Sequence, residues 1–335
     1  MRVGLALPHY DFSLPGSEAV TFARVAEVAT AAERLGFDSV WMSDHFFTSL
    51  ERYGGGAEPQ GSLEPLTTLA ALATMTERVH LGTLVLSAGF RHPAVLAKSA
   101  TGIDLLSGGR LDLGLGAGWY EPEFEAFGYP FGSTGERFRT LAETLEVLTR
   151  MLAEGPATYA GERFALHDAY NHPRPAQSPR PPIWLGGKGG PRLLGLAARL
   201  ADGWNTAWRW TPEAYAERVT AARAACERVG RDPATLRLSL GLFTVLGEDE
   251  ADLERRYALM AERLPAGVAE QMPLDTLRRE CLAGTPEQAL ERLARFAELE
   301  VEELIVSPAP LWFSLPDPSM LDLLAEALIP AAHEL

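Results

Sequence analysis

Cysteine and long apolar runs are scarce in this chain of 335 residues. Its 2 cysteines, Cys226 and Cys281, belong to no CxxC or Cys/His spacing, which excludes a disulfide framework and a cysteine-based zinc site. No apolar stretch reaches the ~18 residues that a membrane-spanning helix needs. The first eight residues, Met1–Pro8, lack the apolar region of a signal peptide. We therefore expect a cytoplasmic protein that does not bind membranes.

Basic residues are also few, with 30 Lys and Arg against 45 Asp and Glu and a net charge of -15. This balance disfavours binding to nucleic-acid phosphates or to an anionic lipid surface. Lysine is the rarest basic residue and occurs only as Lys98 and Lys188. Lys188 lies inside a glycine cluster, which makes its position notable.

One pattern recurs along the chain: an amphipathic helix, a short turn marked by Gly or Asp, and a short apolar strand. Alternation of this kind predicts a parallel sheet, and eight repeats predict a (β/α)8 TIM barrel. The main alternative is a doubly wound open sheet, but no G-x-G-x-x-G follows the first strand. We predict a single domain over residues 1–335, with insertions at about 155–182 and 248–284 at the C-terminal mouth of the barrel. The predicted strands are 3–7, 39–42, 80–86, 110–115, 183–186, 204–206, 236–245 and 303–307.

Three glycines alternate at the end of the fourth predicted strand, at Gly114, Gly116 and Gly118, with Trp119 directly after them. Glycine weakens a strand, so such a series indicates close approach of a ligand or of another chain segment. The alternative is a bulge or a barrel corner. Because the fourth strand tip belongs to the rim where barrel enzymes place their active sites, a ligand platform is favoured.

A second glycine cluster, Gly186-Gly187-Lys188-Gly189-Gly190, follows the fifth strand and runs into a helix that begins at Pro191. Free backbone N–H groups and the positive end of the helix dipole make such a turn an anion site, most simply for a cofactor phosphate. The alternative is a tight strand-to-helix turn without a ligand.

Asp44 and His45 follow the second strand and are the best candidates for proton chemistry, because histidine titrates near neutral pH. His45 could instead be a hydrogen-bonded rim residue without a chemical role. A metal site of Asp44, His45, His9 and His92 is a further alternative, although the metal-binding spacings H-x-H and H-x-x-x-H are missing.

The sequence resembles the luciferase-like monooxygenase superfamily, in particular its oxidoreductases that use the deazaflavin coenzyme F420. Matching segments occur in order over about the first 210 residues, and the last third matches only in its rhythm of helices and strands. The segments are Gly36–Phe46, Glu77–Thr83, His92–Lys98, Leu106–Tyr120, Gly135–Phe138, Pro181–Gly187 and Ala201–Asn205.

The resemblance implies a flavin-type ring over the C-terminal mouth of the barrel, with Asp44 and His45 beside it. It also implies a bulge in the third strand that backs the ring, often with a non-prolyl cis peptide, here Leu84–Val85. The cofactor-binding residues implied by the resemblance and the glycine motifs together are Asp44, Leu84, Val85, Ser87, Gly116, Ala117, Gly118, Trp119, Gly187, Lys188, Gly189 and Gly190.

Two positions depart from the sugar-phosphate dehydrogenases of this family. Trp119 replaces a glutamate, and Ser49 replaces a tryptophan. These differences argue against a sugar phosphate and suggest a more apolar substrate wall at Trp119.

We therefore predict an F420-dependent enzyme that transfers a hydride between the coenzyme and a small organic substrate. His45 donates or accepts the proton, and Asp44 orients it or holds the ring. The alternatives are a monooxygenase that uses FMNH2 and oxygen with a separate reductase, and a non-catalytic flavin-binding protein. No metal is predicted, and the resemblance implies a homodimer.

Overall fold

Strands and helices alternate along the chain in the computed structural model, which describes residues 1–16 and 19–335. The main strands are β1 Arg2–Ala6, β2 Ser39–Met42, β3 His80–Thr83, β4 Leu111–Gly116, β5 Ile183–Gly186, β6 Gly203–Trp208, β7 Arg237–Leu246 and β8 Val301–Ser307. The principal helices are α1 Phe22–Arg34, α2 Pro65–Ala73, α3 Pro93–Ser107, α4 Thr134–Leu152, α5 Pro191–Leu200, α6 Pro212–Arg228, α7 Glu250–Arg263 and α8 Pro286–Ala297. This order confirms the predicted (β/α)8 TIM-barrel class.

The described residues divide into two compact units. The first unit comprises Met1–Leu63, Asn205–Thr220 and Leu238–Leu335, and the second comprises Glu64–Trp204 and Ala221–Arg237.

Parallel strand pairs form the sheet within each unit. In the first unit β1 pairs with β2 and β8, and β7 pairs with β8. In the second unit β4 pairs with β3 and β5. Apolar residues on these strands are fully buried, as in Val3, Leu113 and Ile305, which is the pattern of parallel strands covered on both faces.

Helix starts follow ordinary capping chemistry. The Thr21 side chain caps α1, and Ser133 with Glu136 forms a capping box at α4. Proline occupies the first turn of α2, α3, α5 and α8, where its missing N–H costs no hydrogen bond.

Each unit also buries a carboxylate on a strand. In the first unit Glu303 accepts from the Ser39 hydroxyl at 2.5 Å. In the second unit Asp112 accepts from the Trp184 indole N–H at 3.0 Å and contacts His80 Nδ1 at 2.8 Å. These bonds satisfy buried polar groups that would otherwise destabilise the core.

Several elements of the structure differ in detail from those that the sequence predicts. The third strand is not continuous over 80–86, because β3 ends at Thr83 and pairing resumes only at Leu86–Ser87. Within the predicted insertion at about 155–182, strands Ala157–Ala160 and Ala165–Ala169 form a hairpin. A helix over Glu121–Ala126 was not predicted.

The last third contains more structure than the pattern indicated. The region 248–284 holds α7, two short helices (Val268–Gln271 and Leu274–Glu280) and a strand, Leu282–Gly284, that extends the sheet beside β7. The chain closes with a short helix Met320–Leu323, a π-helical turn over Leu324–Leu328, and a helix Ile329–His333. None of the helices in the described ranges is both long and apolar enough to span a membrane.

Candidate active site

The loop after β2 carries Asp44 and His45 in the first unit. Asp44 is 3% exposed, whereas His45 is half-buried. The Ser62 hydroxyl donates a hydrogen bond to the His45 carbonyl oxygen and so fixes the backbone there. Just beyond, Phe47–Thr48 pairs antiparallel with Gln60–Gly61. The loop thus holds an imidazole that is partly open to solvent on a backbone fixed from two sides.

A buried hydrogen-bond chain lies beside this loop and joins Tyr10, Ser43 and His9. His9 Nδ1 is 2.7 Å from the Leu7 carbonyl oxygen, and Nε2 is 3.0 Å from Ser43 Oγ. The Tyr10 hydroxyl forms a short hydrogen bond with the same Ser43 oxygen.

Chemistry fixes the direction of every bond in this chain. Burial lowers the pKa of His9 to about 3, so the ring is neutral and carries one N–H. A carbonyl oxygen can only accept, so Nδ1–H donates to Leu7 and Nε2 accepts the Ser43 proton. Ser43 therefore accepts the proton of Tyr10. Sequence reasoning considered His9 only as a ligand of the alternative metal site and missed this chain.

Aromatic rings surround His45. The Tyr10 and Trp312 rings each lie 6.4 Å from the imidazole, measured between centroids, and both are buried, at 1% and 5% exposure. Trp312 comes from the segment after β8, which the sequence reasoning left unassigned. The signal that could have found it is the run Leu311-Trp312-Phe313 after a strand tip.

The proposed metal ligands have other partners. His9 is bonded as described, and His92 Nδ1 accepts the Ala94 N–H at 3.3 Å to cap α3. Within residues 1–16 and 19–335, the His, Cys, Asp and Glu side chains form no group of three that could hold a metal.

In the second unit the Leu84–Val85 peptide bond is cis, as the resemblance implied. Beyond it, Leu86 and Ser87 pair with Leu115 and Gly116 of β4. The bulge places Val85 against the glycines of neighbouring strands.

The β4 glycines make room for this chain segment. A Cβ at Gly114 would lie 2.0 Å from the Thr83 carbonyl oxygen, and one at Gly116 would lie 2.8 Å from Val85 Cγ2. A Cβ at Gly186 would likewise lie only 2.5 Å from Val85 Cγ1. The sequence analysis favoured a ligand platform here, but at Gly114 and Gly116 the structure shows close approach of the Thr83–Val85 segment instead.

Gly118 and Trp119 differ from the glycines before them. Gly118 has φ +78°, and a Cβ there would lie 2.7 Å from Ser87 Oγ. Trp119 is 43% exposed and its ring lies 5.3 Å from that of Tyr120. The end of β4 thus brings Ser87, Gly118 and an accessible indole together in the second unit.

The turn from β5 into α5 has the geometry of an anion site. Gly190 is the N-cap of α5, makes no side-chain capping bond, and has nothing within 4 Å of an added Cβ. Gly189 has φ +71°, and the Trp204 indole N–H donates to the Gly187 carbonyl oxygen at 3.0 Å. Lys188 is exposed. The helix therefore begins with N–H groups that its own cap residue leaves for an anion.

The candidate residues fall into two sets. Asp44 and His45 belong to the first unit, and all the other predicted cofactor-binding residues, from Leu84 to Gly190, belong to the second.

Comparison with known proteins identifies the class. The family model for luciferase-like monooxygenases matches residues 1–303, and the chain belongs to this family.

Particular relatives resemble it along most of its length. An F420-dependent glucose-6-phosphate dehydrogenase of Microbacterium testaceum (strain StLB037) is 31% identical over 291 residues, covering 82% of this chain and 84% of the relative. An F420-dependent hydroxymycolic acid dehydrogenase of Mycobacterium tuberculosis is 32% identical over 250 residues, covering 74% of this chain and 64% of the relative. The structure of an F420-dependent secondary alcohol dehydrogenase with an F420-acetone adduct superposes with a TM-score of 0.77 at 20% identity. The superposition covers 99% of this chain and 98% of that one. At that identity the likeness shows the shared fold.

Proposed function

We propose that this protein is an F420-dependent oxidoreductase that transfers a hydride between the deazaflavin and a small organic substrate. The open glycine turn at the start of α5 is the observation that carries the proposal. Its uncapped helix start would bind an anion at the position where the resemblance expects the coenzyme phosphate. The relatives that use F420 support the choice of coenzyme.

The residues of the second unit fit such a coenzyme. Gly187, Lys188, Gly189 and Gly190 would hold its phosphate through backbone N–H groups and one cation. Near the end of β4, the backbone and side chains of Leu84, Val85, Ser87, Gly116, Ala117, Gly118 and Trp119 would contact the ring. When bound, the deazaflavin supplies the carbon that accepts or gives the hydride.

In the first unit His45 moves the accompanying proton. In alcohol oxidation an imidazole nitrogen of His45 would accept the hydroxyl proton of the substrate, while the bound coenzyme would supply the acceptor for the hydride. In reduction of a C=C, C=N or C=O bond both transfers run in reverse. Asp44, the preceding residue, orients the imidazole or holds the ring.

Three further expectations stay predictions: a homodimer, which the resemblance implies, and a cytoplasmic location and a single domain, which the composition and the repeated helix–strand pattern indicate. A partner reductase is needed only if reduced FMN is the true cofactor.

Titration of the purified protein with F420 and with FMN tests the proposal, using quenching of cofactor fluorescence as the readout. We expect F420 to bind at least about tenfold more tightly than FMN, a difference of about 1.4 kcal/mol. Tight FMN binding without F420 binding would overturn the proposal in favour of the monooxygenase. Binding of F420 without turnover of any alcohol, ketone or enone would favour a non-catalytic carrier.

A further inference from the structure

The rings next to His45 form a wall of neutral aromatic side chains. We define the His45 ring cluster as Tyr10, Phe12, His45, Tyr53 and Trp312. Phe12 stacks on Tyr10 at 5.0 Å and 14° and meets Trp312 edge-on at 5.1 Å. Tyr53 meets Trp312 at 5.5 Å. All five residues belong to the first unit.

This wall has a buried side and an open side. Tyr10 and Trp312 are buried, whereas Phe12, His45 and Tyr53 are half-buried. An apolar cluster that served only as core would be closed on all sides. Here Phe12, His45 and Tyr53 keep accessible surface around the one indole that all three contact.

Trp312 is held firmly in this wall. The Ser13 hydroxyl donates to the Phe313 carbonyl oxygen at 2.6 Å, and the Leu315 N–H donates to the Ser13 carbonyl oxygen at 2.8 Å. Phe313 also has φ +50°, an unusual conformation for a large side chain. The indole is therefore placed before any ligand arrives, which lowers the entropic cost of binding.

The cluster offers little to an anionic substrate. Burial raises the pKa of Tyr53, so its phenol is neutral at physiological pH, and Tyr10 is bonded to the neutral chain that ends at His9. Arg52, whose charge acts on the Tyr53 hydroxyl, is itself exposed. A phosphate group is normally bound by Arg or Lys in charge-assisted hydrogen bonds.

We propose that the substrate is an uncharged molecule with an aromatic or conjugated planar group, which packs on the half-buried ring of Phe12 beside His45, over the buried indole of Trp312. The edge and face of the Phe12 ring suit the offset and edge-on contacts of a planar π system. This inference rests on the proposed function, because it assigns the substrate class to the site of His45. Trp312, whose ring contacts those of Phe12, His45 and Tyr53, is the positioning residue that sets this specificity.

A matched pair of enones tests it by isothermal titration calorimetry on the purified protein. Benzylideneacetone carries a phenyl ring on the enone, and 3-penten-2-one is the same enone without the ring. We expect the phenyl compound to bind at least about tenfold more tightly, since a buried aromatic ring contributes well over 1.4 kcal/mol. Glucose 6-phosphate should bind more weakly than benzylideneacetone.

Variants of Trp312 then locate the effect. Trp312→Leu removes the ring but keeps an apolar side chain and should abolish most of the preference for benzylideneacetone. Trp312→Phe should retain it within about threefold, which is below the 1.4 kcal/mol that separates a tenfold change. Trp210→Phe, a half-buried tryptophan outside the cluster, is the matched control and should change nothing.

The outcomes separate the two proposals. Equal binding of the two enones, tighter binding of glucose 6-phosphate, or an unchanged preference in Trp312→Leu would overturn the substrate class. If Trp312→Leu fails to fold, the comparison of the two enones on the wild-type protein still decides. Failure of F420 to bind in the parallel fluorescence titration would overturn the proposed function instead.

Discussion

The two units solve different problems with opposite means. In the first unit the candidate site consists of side chains: an imidazole, a ring cluster, and the directed hydrogen-bond chain from Tyr10 to His9. In the second unit the candidate site consists largely of glycine backbone. The glycines of β4 and β5 let Val85 approach closely, and Gly190 leaves the first N–H groups of α5 without a side-chain cap. Proton chemistry needs specific functional groups, whereas holding a large flat cofactor needs backbone and space.

The largest effect should come from a substitution in the first unit. Removing the imidazole in His45→Ala should lower kcat by about 10²- to 10⁴-fold, the usual contribution of a general acid or base, while F420 affinity stays within about threefold, less than 1.4 kcal/mol. The assay follows the oxidation or reduction of F420 with the best substrate among the alcohols, ketones and enones tested. His167→Ala, at an exposed histidine of the hairpin, is the control. Wild-type kcat in His45→Ala across pH would remove the proton-transfer role.

A negative charge added to the glycine turn before α5 should weaken coenzyme binding without lowering the stability of the protein. Gly190 has φ -68° and open space, so Gly190→Asp fits, caps α5 and adds a few tenths of a kcal/mol of stability. Its carboxylate repels a bound phosphate, so F420 affinity should fall at least about tenfold, or 1.4 kcal/mol. Gly190→Asn caps the helix without the charge and should bind F420 better than Gly190→Asp. Equal affinity in the two variants would show that the turn holds no anion.

A third test asks whether the β4 glycines serve packing. Gly116→Ala places a Cβ 2.8 Å from Val85 Cγ2 and should destabilise the protein by about 1–3 kcal/mol. In a Val85→Ala background the same change should cost much less, because the clashing methyl group is gone. Urea denaturation measures both, and Gly190→Ala, with open space, is the control. Additive effects would mean that Val85 is not what Gly116 accommodates.

The last test concerns pH. The pKa of His9 is lowered from 6.5 to about 3 by burial, so the unfolded chain binds this proton more readily than the folded protein does. The contribution of His9 to stability is present above pH 6.5 and is lost as the pH falls toward 3, at up to about 1.4 kcal/mol per pH unit. His9→Asn should flatten the stability profile across this window, as measured by urea denaturation. A profile identical to that of the wild type would show that His9 is not buried in its neutral form.

The sequence predicts the regular parts of this molecule well. Apolar strands and helix-start residues such as Thr21 and Pro191 are local signals, and they gave the fold class and most of the strands. The split of the third strand at Leu84–Val85 came from family resemblance, because nothing in the composition of that segment distinguishes it from a continuous strand.

Long-range features were out of reach. Ser43 and His9 are 34 residues apart, and Trp312 reaches His45 from the other end of the chain. Their pairing depends on tertiary packing, which single-chain periodicity does not encode. The glycines at 114 and 116 were recognised as special, but only the structure shows Thr83 and Val85 as their neighbours.

The locked tautomer of His9 gives the protein an internal reporter. Its Nδ1 proton is buried and bonded to the Leu7 carbonyl oxygen, so it is shielded from exchange with water and suited to observation by proton NMR. Because Ser43 links this imidazole to Tyr10, and the half-buried Phe12 stacks on Tyr10, a molecule that binds the His45 ring cluster should shift that resonance. Binding to the cluster could then be followed without any coenzyme, label or turnover.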